Sequence, residues 1–147
     1  MTEQSLVHNT FTLERKYSTS PEQVFAAWRD PVAKAAWFAS PGSEHELDFR
    51  VGGRELTRNE IQPGNAMVFD SVYLDIVEGT RIVYSSTLSS NDVLCTASIT
   101  TVEISAAADG AVLVLTESDV FLDGRELPEW RQTGTGDWLD KLGSHLD

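Results

Sequence analysis

The chain has 147 residues, 41% of them hydrophobic, and a net charge of −12 from 11 basic and 23 acidic side chains. This acidity argues against binding to DNA, RNA or an anionic membrane surface, because phosphate groups would repel the protein. The single cysteine, Cys95, cannot form an internal disulfide, the N-terminus lacks a signal-peptide pattern, and no apolar run approaches membrane-spanning length. We therefore expect one domain over residues 1–147, with a loose tail at residues 1–6, in the reducing cytoplasm.

The first predicted elements are a strand and two short helices. Residues His8–Tyr17 alternate between apolar and polar side chains, which predicts a strand. Ser20 and Pro21 then offer an N-cap and a first helical residue, while Asp30 and Pro31 end this helix and start a second one. The residues expected to face inward are Val24, Phe25 and Trp28 on the first helix and Val32, Ala35, Ala36 and Trp37 on the second.

Six further strands are predicted from short β-rich runs separated by turn signals. Gly52-Gly53, Pro63-Gly64-Asn65, Glu78-Gly79 and Ala108-Asp109-Gly110 supply turns between them. With no helix between these runs, the strands are expected to pair as antiparallel hairpins. Their predicted bounds are Glu46–Val51, Arg54–Ile61, Met67–Val77, Arg81–Leu88, Val93–Ser105 and Ala111–Phe121.

The last predicted element is a helix over Leu127–Leu146. Its expected inner face holds Leu127, Gly134, Trp138, Leu142 and His145, by a spacing of about 100° per residue. Three glycines lie inside this helix, and each costs roughly 1 kcal/mol relative to alanine. The helix must therefore be stabilised by what it packs on, which the preceding strands indicate is a curved sheet.

Several local motifs, in their order and spacing, carry a resemblance to a known superfamily. They are SPEQVFAAWRDP followed by Trp37-Phe38, DFRVGG at 48–53, YLDIVEGTRIVYS at 73–85, LTESDVFLDG at 115–124, and a closing pattern from Arg131 to Leu142. Together they resemble the START-like helix-grip fold of the SRPBCC superfamily. The match is to the branch related to the activator of heat-shock protein ATPase (Aha-type) and to polyketide-cyclase-like proteins. The resemblance implies an α+β domain in which a curved antiparallel sheet of about seven strands surrounds a long C-terminal helix.

A fold of this type can hold a ligand between its sheet and its helix. Aromatic side chains are the candidates for the cavity wall: Trp37, Phe38, Phe49, Phe69, Tyr73, Tyr84 and Trp138. Trp37 and Phe38 precede a Ser-Pro-Gly-Ser loop, where the resemblance implies the mouth of a pocket. Gly134 either makes room for the ligand or allows close packing against a strand, and the sequence leaves both interpretations open.

Glu117 is the polar candidate, because it shares one face of its strand with Leu113, Leu115 and Asp119. If Glu117 is buried, it needs a partner or a raised pKa. Arg54 and Arg131 are the expected partners, and an ion pair that anchors the helix to the sheet is the simplest role.

No catalytic, metal-binding or cofactor-binding motif occurs in the sequence, and His8, His45 and His145 are dispersed. We therefore predict no metal and no cofactor. The main hypothesis is binding of a small apolar or aromatic molecule. The alternatives are a cyclase- or hydrolase-type enzyme that uses the same cavity, with Glu117 or Asp119 as the acid, and a co-chaperone-like interaction domain. Monomer and homodimer both remain open.

Overall fold

The computed structural model of the protein describes residues 4–147, apart from the side chains of residues 61 and 62. These residues form seven strands and three helices. The strands are β1 (Leu6–Tyr17), β2 (Glu44–Leu47), β3 (Arg54–Gln62), β4 (Asn65–Val77), β5 (Arg81–Ser90), β6 (Val93–Ala107) and β7 (Gly110–Leu122). The helices are α1 (Pro21–Arg29), α2 (Pro31–Phe38) and α3 (Pro128–Leu146).

All seven strands belong to one antiparallel sheet with the order β1-β7-β6-β5-β4-β3-β2. Strands β2 to β7 follow one another as hairpins, and the two short helices carry the chain from β1 across to β2 at the opposite edge. Helix α3 packs on α1, α2 and β1. The predicted α+β helix-grip architecture is confirmed.

Alternation along β7 shows which face of the sheet is interior. Leu113, Leu115, Glu117, Asp119 and Phe121 are all buried, whereas the residues between them are partly or fully exposed. Beneath the three helices, this inner face supplies most of the hydrophobic core. Among residues 4–147, no helix is long and apolar enough to cross a membrane.

Strand β2 is shorter than predicted, because the chain turns after Leu47 instead of continuing to Val51. Backbone bonds from Arg50 N–H to Asp48 O (3.0 Å) and from Gly53 N–H to Arg50 O (2.8 Å) fold residues 48–53 into a compact turn. A Cβ on Gly53 would lie 2.1 Å from Asp48 O, so this position requires glycine. The expected tail is also shorter: Leu6 is already in β1, while residues 1–3 lie outside the described residues.

The predicted inner face of α2 is partly wrong. Val32 is 81% exposed and Ala36 is exposed, whereas Lys34 is only 1% exposed. Lys34 turns inward because a carboxylate on β3, Glu55, accepts a hydrogen bond from its ammonium at 2.9 Å. A buried ion pair thus overrides the apolar pattern of this helix.

The predicted inner face of α3 is also rotated. The buried residues are Arg131, Thr135, Gly136, Leu139 and Leu142. His145, which was expected to face inward, is exposed, and Leu127, the N-cap, is 40% exposed. The carboxylates of Glu117 and Glu126 draw Arg131 inward, which sets the orientation of the whole helix.

Candidate ligand-binding site

A pocket of about 130 Å³ lies between α3 and the inner face of the sheet. Its walls are mostly apolar, with three polar side chains among them. The lining residues are Phe69, Leu88, Glu126, Trp130, Arg131, Gly134, Thr135 and Trp138. Five of these eight residues come from the first three turns of α3, so the orientation of this helix determines the shape of the pocket.

The three glycines of α3 have different roles. A Cβ on Gly134 would meet no atom within 4 Å, so Gly134 leaves space that belongs to the pocket. A Cβ on Gly136 would lie 3.1 Å from Arg15 Nη2, and one on Gly143 would lie 3.3 Å from Tyr17 Cε1. Gly134 therefore borders open space, whereas Gly136 and Gly143 allow close packing on β1.

The aromatic wall of the pocket continues into the core. The ring centroids of Phe69 and Trp138 lie 5.9 Å apart, and Phe38 packs behind them at 4.5 Å from Trp138 and 6.0 Å from Phe69. Trp130 is 62% exposed and forms the outer end of the wall. The pocket therefore opens to solvent at Trp130 and closes against Phe38.

Arg131 is the centre of a buried polar group beside the pocket. Its Nε and Nη2 donate to the two carboxylate oxygens of Glu126 at 3.1 and 2.8 Å, and its Nη1 donates to Glu117 at 3.3 Å. Thr96 and Thr100 donate their hydroxyls to Glu126 and Glu117. The expected pairing of Glu117 with Arg131 is confirmed, and this pairing links α3 to β6 and β7.

Two buried polar side chains in this region have no hydrogen-bond partner among the described residues. They are Asp119, through both carboxyl oxygens, and Thr135, through its hydroxyl. Asp119 is 4% exposed and its Oδ1 lies 4.0 Å from Arg131 Nη1. Burial raises the pKa of Asp119 to about 8, and the neighbouring carboxylate of Glu117 adds to the effect. Asp119 therefore holds a proton around neutral pH, unlike an ordinary aspartate.

A second buried polar cluster lies on the other side of Phe38. Glu55 accepts hydrogen bonds from Lys34 at 2.9 Å, from the Tyr73 hydroxyl at 2.8 Å and from His45 Nε2 at 2.8 Å. Burial alone would raise the pKa of Glu55, but the charge of Lys34 and the three donors outweigh it and lower the pKa to about 2. This cluster is fully paired and enclosed, so it has no free group to offer a ligand.

The ammonium of Lys34 is also surrounded by aromatic rings. It lies 4.3 Å from the ring centroid of Phe38, 4.7 Å from that of Trp28 and 5.4 Å from that of Trp37. Burial lowers the pKa of Lys34, and Glu55 opposes that effect. The rings and the carboxylate together replace the water that a buried ammonium loses.

The structure places four of the candidate aromatic residues in the core, away from the pocket. Trp37 is 2% exposed and donates its indole N–H to Ala27 O. Phe49 packs on Tyr73 at 4.9 Å, and Tyr73 packs on Tyr84 at 5.8 Å. Burial raises the pKa of both tyrosines. The Ser-Pro-Gly-Ser loop that follows Trp37 and Phe38 contributes no residue to the pocket.

Arg54 lies on the outer face of the sheet, where it pairs with Asp70. It is exposed, and the expected pairing of Arg54 with Glu117 is wrong. Strand alternation explains the error: Glu55, its neighbour, occupies the inward position on β3. Of the ten predicted site residues, Phe69, Gly134 and Trp138 line the pocket, and Phe38 and Glu117 support it from behind.

Several important residues were not predicted from the sequence. Leu88 and Trp130 line the pocket, and Glu55 organises the second cluster. The exposed Trp130 carries no periodic signal because it lies off the buried face of α3. Glu55 sits in a strand whose inward positions are polar, so apolar alternation could not reveal it. Within residues 4–147, no group of three or more His, Cys, Asp or Glu side chains could hold a metal ion.

Larger depressions occur on the outer face of the sheet. One of about 390 Å³ lies across β1, β6 and β7 and includes Thr10, Ile99 and Ser118. Another of about 460 Å³ lies across β3 to β6. Both lie on the strands of the sheet, away from the space between the sheet and α3.

Comparison with known proteins identifies the family. Residues 18–147 match the family described as Activator of Hsp90 ATPase homolog 1-like protein. The chain belongs to this family. The resemblance to an Aha-type member of the SRPBCC superfamily is thereby confirmed. No curated protein shows significant similarity to the chain.

Solved structures of similar proteins support membership of the Activator of Hsp90 ATPase homolog 1-like family. An uncharacterised protein from Rhizobium leguminosarum is 37% identical with a TM-score of 0.93, over 99% of this chain and 98% of the other. The Mll3558 protein from Rhizobium loti is 38% identical with a TM-score of 0.91, over 97% and 99%. Protein CV1439 from Chromobacterium violaceum is 30% identical with a TM-score of 0.80, over 94% and 96%.

Proposed function

We propose that the protein binds a small aromatic or apolar molecule in the pocket between α3 and the sheet. The observation that carries this proposal is the open space at Gly134, enclosed by the side chains of Phe69, Leu88 and Trp138. The aromatic walls of the pocket are apolar surface that a bound apolar group would remove from water. The chain resembles the SRPBCC superfamily, and this resemblance implies ligand carriers or cyclases, which is consistent with the proposal.

The size of the pocket limits the ligand. An engineered cavity of about 150 Å³ with apolar walls is known to bind benzene, and this pocket has about 130 Å³. One ring therefore fits inside, and a short substituent can extend toward solvent past Trp130. The unpartnered hydroxyl of Thr135 is available to orient a polar atom of that substituent.

The test is a titration with 2-phenylethanol, followed by NMR. The indole N–H signals of Trp130 and Trp138 should shift, while those of Trp28 and Trp37, which lie in the core, should not. Native mass spectrometry of freshly purified protein would show any molecule that co-purifies.

Substitutions at Gly134 provide a matched pair. Gly134→Leu fills the pocket and should weaken binding at least about tenfold, because a side chain of four carbons occupies the space for the ring. Gly134→Ala adds only a methyl group and should retain binding. Both variants should fold, since the position is helical and open and any residue here raises helix propensity relative to glycine. Undiminished binding by Gly134→Leu would contradict the proposed site.

An enzyme that uses the same pocket is a second candidate. Asp119 and Glu117 are both buried on the inner face of the sheet, and a carboxyl with a pKa of about 8 is well suited to donate or accept a proton near neutral pH. Asp119 does not line the pocket, but it lies 4.0 Å from Arg131, which does. Conversion of a bound compound by the native protein, lost in Asp119→Asn while binding is retained, would support this role.

A protein-interaction role is favoured by one feature, the exposed side chains of Trp130 and Leu127 at the start of α3. Trp130 also lines the pocket, so the same exposure is explained by a mouth through which a ligand enters. Trp130→Ser should weaken 2-phenylethanol binding if Trp130 belongs to the mouth, and should leave it unchanged if Trp130 serves only a protein partner.

A further inference from the structure

Acidic side chains outnumber basic ones around the pocket. Glu126 and Arg131 line it, and Glu117 and Asp119 contact Arg131 from behind. Three carboxyl groups therefore share one guanidinium. The group carries a net charge of −1 when Asp119 is protonated and −2 when it is ionised.

Three of the five N–H groups of the guanidinium already donate to carboxylates, and the positive charge is more than balanced. Its Nε, Nη1 and Nη2 all donate to carboxylates already, two to Glu126 and one to Glu117. A carboxylate ligand would become the fourth acid around one cation, inside a region where charges are poorly screened. Anionic ligands are therefore disfavoured in this pocket.

The unsatisfied groups point to a ligand that donates hydrogen bonds. Thr135 is 2% exposed, lines the pocket and has no hydrogen-bond partner among the described residues. Its hydroxyl oxygen can accept a hydrogen bond from an N–H group. Glu126 Oε2 accepts only from Arg131 Nε among these residues, so it retains capacity for a further donor.

The pocket walls also suit a cation. The guanidinium of Arg131 lies over the ring of Phe69 at 5.7 Å, which leaves the rings of Trp130 and Trp138 in the same lining. Aromatic faces attract ammonium groups. We propose that this pocket takes a ring compound that bears an amine, held as its ammonium ion beside Glu126 and Thr135, and that it discriminates against carboxylic acids. This inference rests on the proposed function and adds the chemical class of the ligand.

The test compares three probes that share a phenyl ring and a short chain: phenethylamine, 2-phenylethanol and phenylacetate. Their affinities are measured by NMR titration at neutral pH and fixed physiological salt, on the full chain. We expect phenethylamine to bind more tightly than 2-phenylethanol, and at least about tenfold more tightly than phenylacetate. The amine carries a positive charge and phenylacetate a negative one, and the side chains around Arg131 have a net negative charge.

The outcomes separate this inference from the proposed function. Binding of phenylacetate that equals or exceeds that of phenethylamine overturns the amine preference but supports a ligand pocket. Binding of 2-phenylethanol that equals or exceeds that of the amine also overturns the preference. If none of the three probes shifts the Trp130 and Trp138 signals, both proposals fail.

Two charge-matched variants distinguish the pocket from the overall acidity of the protein. Glu126→Gln removes the carboxylate that lines the pocket and should reduce the amine preference several-fold. Glu129→Gln removes an exposed carboxylate three residues further along the chain, in the first turn of α3, that does not line the pocket, and should leave the preference unchanged. An equal reduction in both variants would show that the preference comes from the total charge of −12, and would overturn the assignment to this site.

Discussion

Replacement of Lys34 by methionine tests how much the buried cluster around Glu55 contributes to stability. Methionine keeps the length of the aliphatic chain but removes the ammonium, which is 1% exposed and donates to Glu55 at 2.9 Å. The carboxylate, 3% exposed, would keep only the hydroxyl of Tyr73 and the ring nitrogen of His45 as donors. A buried negative charge would thus lose its countercharge without gaining water.

Two estimates of the free energy of unfolding that Lys34→Met would lose are similar. Removal of one partner from a buried ion pair typically lowers the free energy of unfolding by about 3–5 kcal/mol. The pKa of Glu55 falls from 4.5 to about 2 in the folded protein although burial raises it, and Lys34 is the largest cause of the decrease. This net shift corresponds to about 3 kcal/mol. We expect Lys34→Met to lose about 3 kcal/mol at pH 7.

Urea denaturation followed by tryptophan fluorescence measures this loss. Arg29→Met is the matched control, because Arg29 pairs with Glu78 at 2.6 Å on the surface, where both side chains are about half or more exposed. Such exposed pairs contribute about 1 kcal/mol or less. The reasoning is refuted if Lys34→Met costs no more than Arg29→Met.

The dependence on pH provides a second check of the same reasoning. In the wild type the folded pKa of Glu55 lies below its unfolded value, so its contribution is present above pH 4.5 and is lost as the pH falls toward 2. In Lys34→Met the unpaired carboxylate should prefer the protonated form. The deficit relative to wild type should therefore shrink as the pH is lowered from 7 to 4, and a constant deficit would contradict the ionic explanation.

Three further outcomes are expected from urea denaturation of single variants. The folded pKa of Asp119 is raised from 3.8 to about 8. The free energy of unfolding of the wild type should therefore fall as the pH rises through this range, by up to about 1.4 kcal/mol per pH unit, and Asp119→Asn should remove this slope. Gly134→Ala should stabilise the protein by up to about 1 kcal/mol, whereas Gly136→Ala should gain less because its Cβ meets Arg15 Nη2 at 3.1 Å. Ser20→Ala should cost about 1 kcal/mol, since the Ser20 side chain accepts a hydrogen bond from Gln23 N–H at 3.2 Å.

The architecture was predictable from the sequence because its signals are local. Turn residues, strand alternation and the Ser20 cap fix the elements one by one, and an antiparallel meander follows from their order. The errors occur where a distant charge decides the local structure. Lys34 turns inward toward Glu55, and an apolar pattern cannot reveal a partner that is 21 residues away. The pairing of Arg131 with Glu117 was expected, but the apolar spacing of α3 still predicted the wrong inner face.

The site was only partly predictable for a related reason. Aromatic character correctly predicts Phe69 and Trp138 as pocket residues. It predicts Trp37, Phe49 and Tyr73 in the same way, although they pack in the core. What separates the two sets is their position relative to α3, whose first three turns line the pocket. The orientation of this helix also exposes Trp130 at the mouth.

The two buried polar clusters differ in how completely their polar groups are paired. Glu55 accepts three hydrogen bonds from protein donors, so its burial is compensated within the fold. Asp119 and Thr135 have no such donors or acceptors among residues 4–147, and Thr135 lines the pocket. Since an unsatisfied buried polar group costs about 1–3 kcal/mol, a cluster that served stability alone would gain by replacing Thr135 with valine. The proposed ligand would supply the missing hydrogen-bond partner of Thr135 beside this open, ring-lined space.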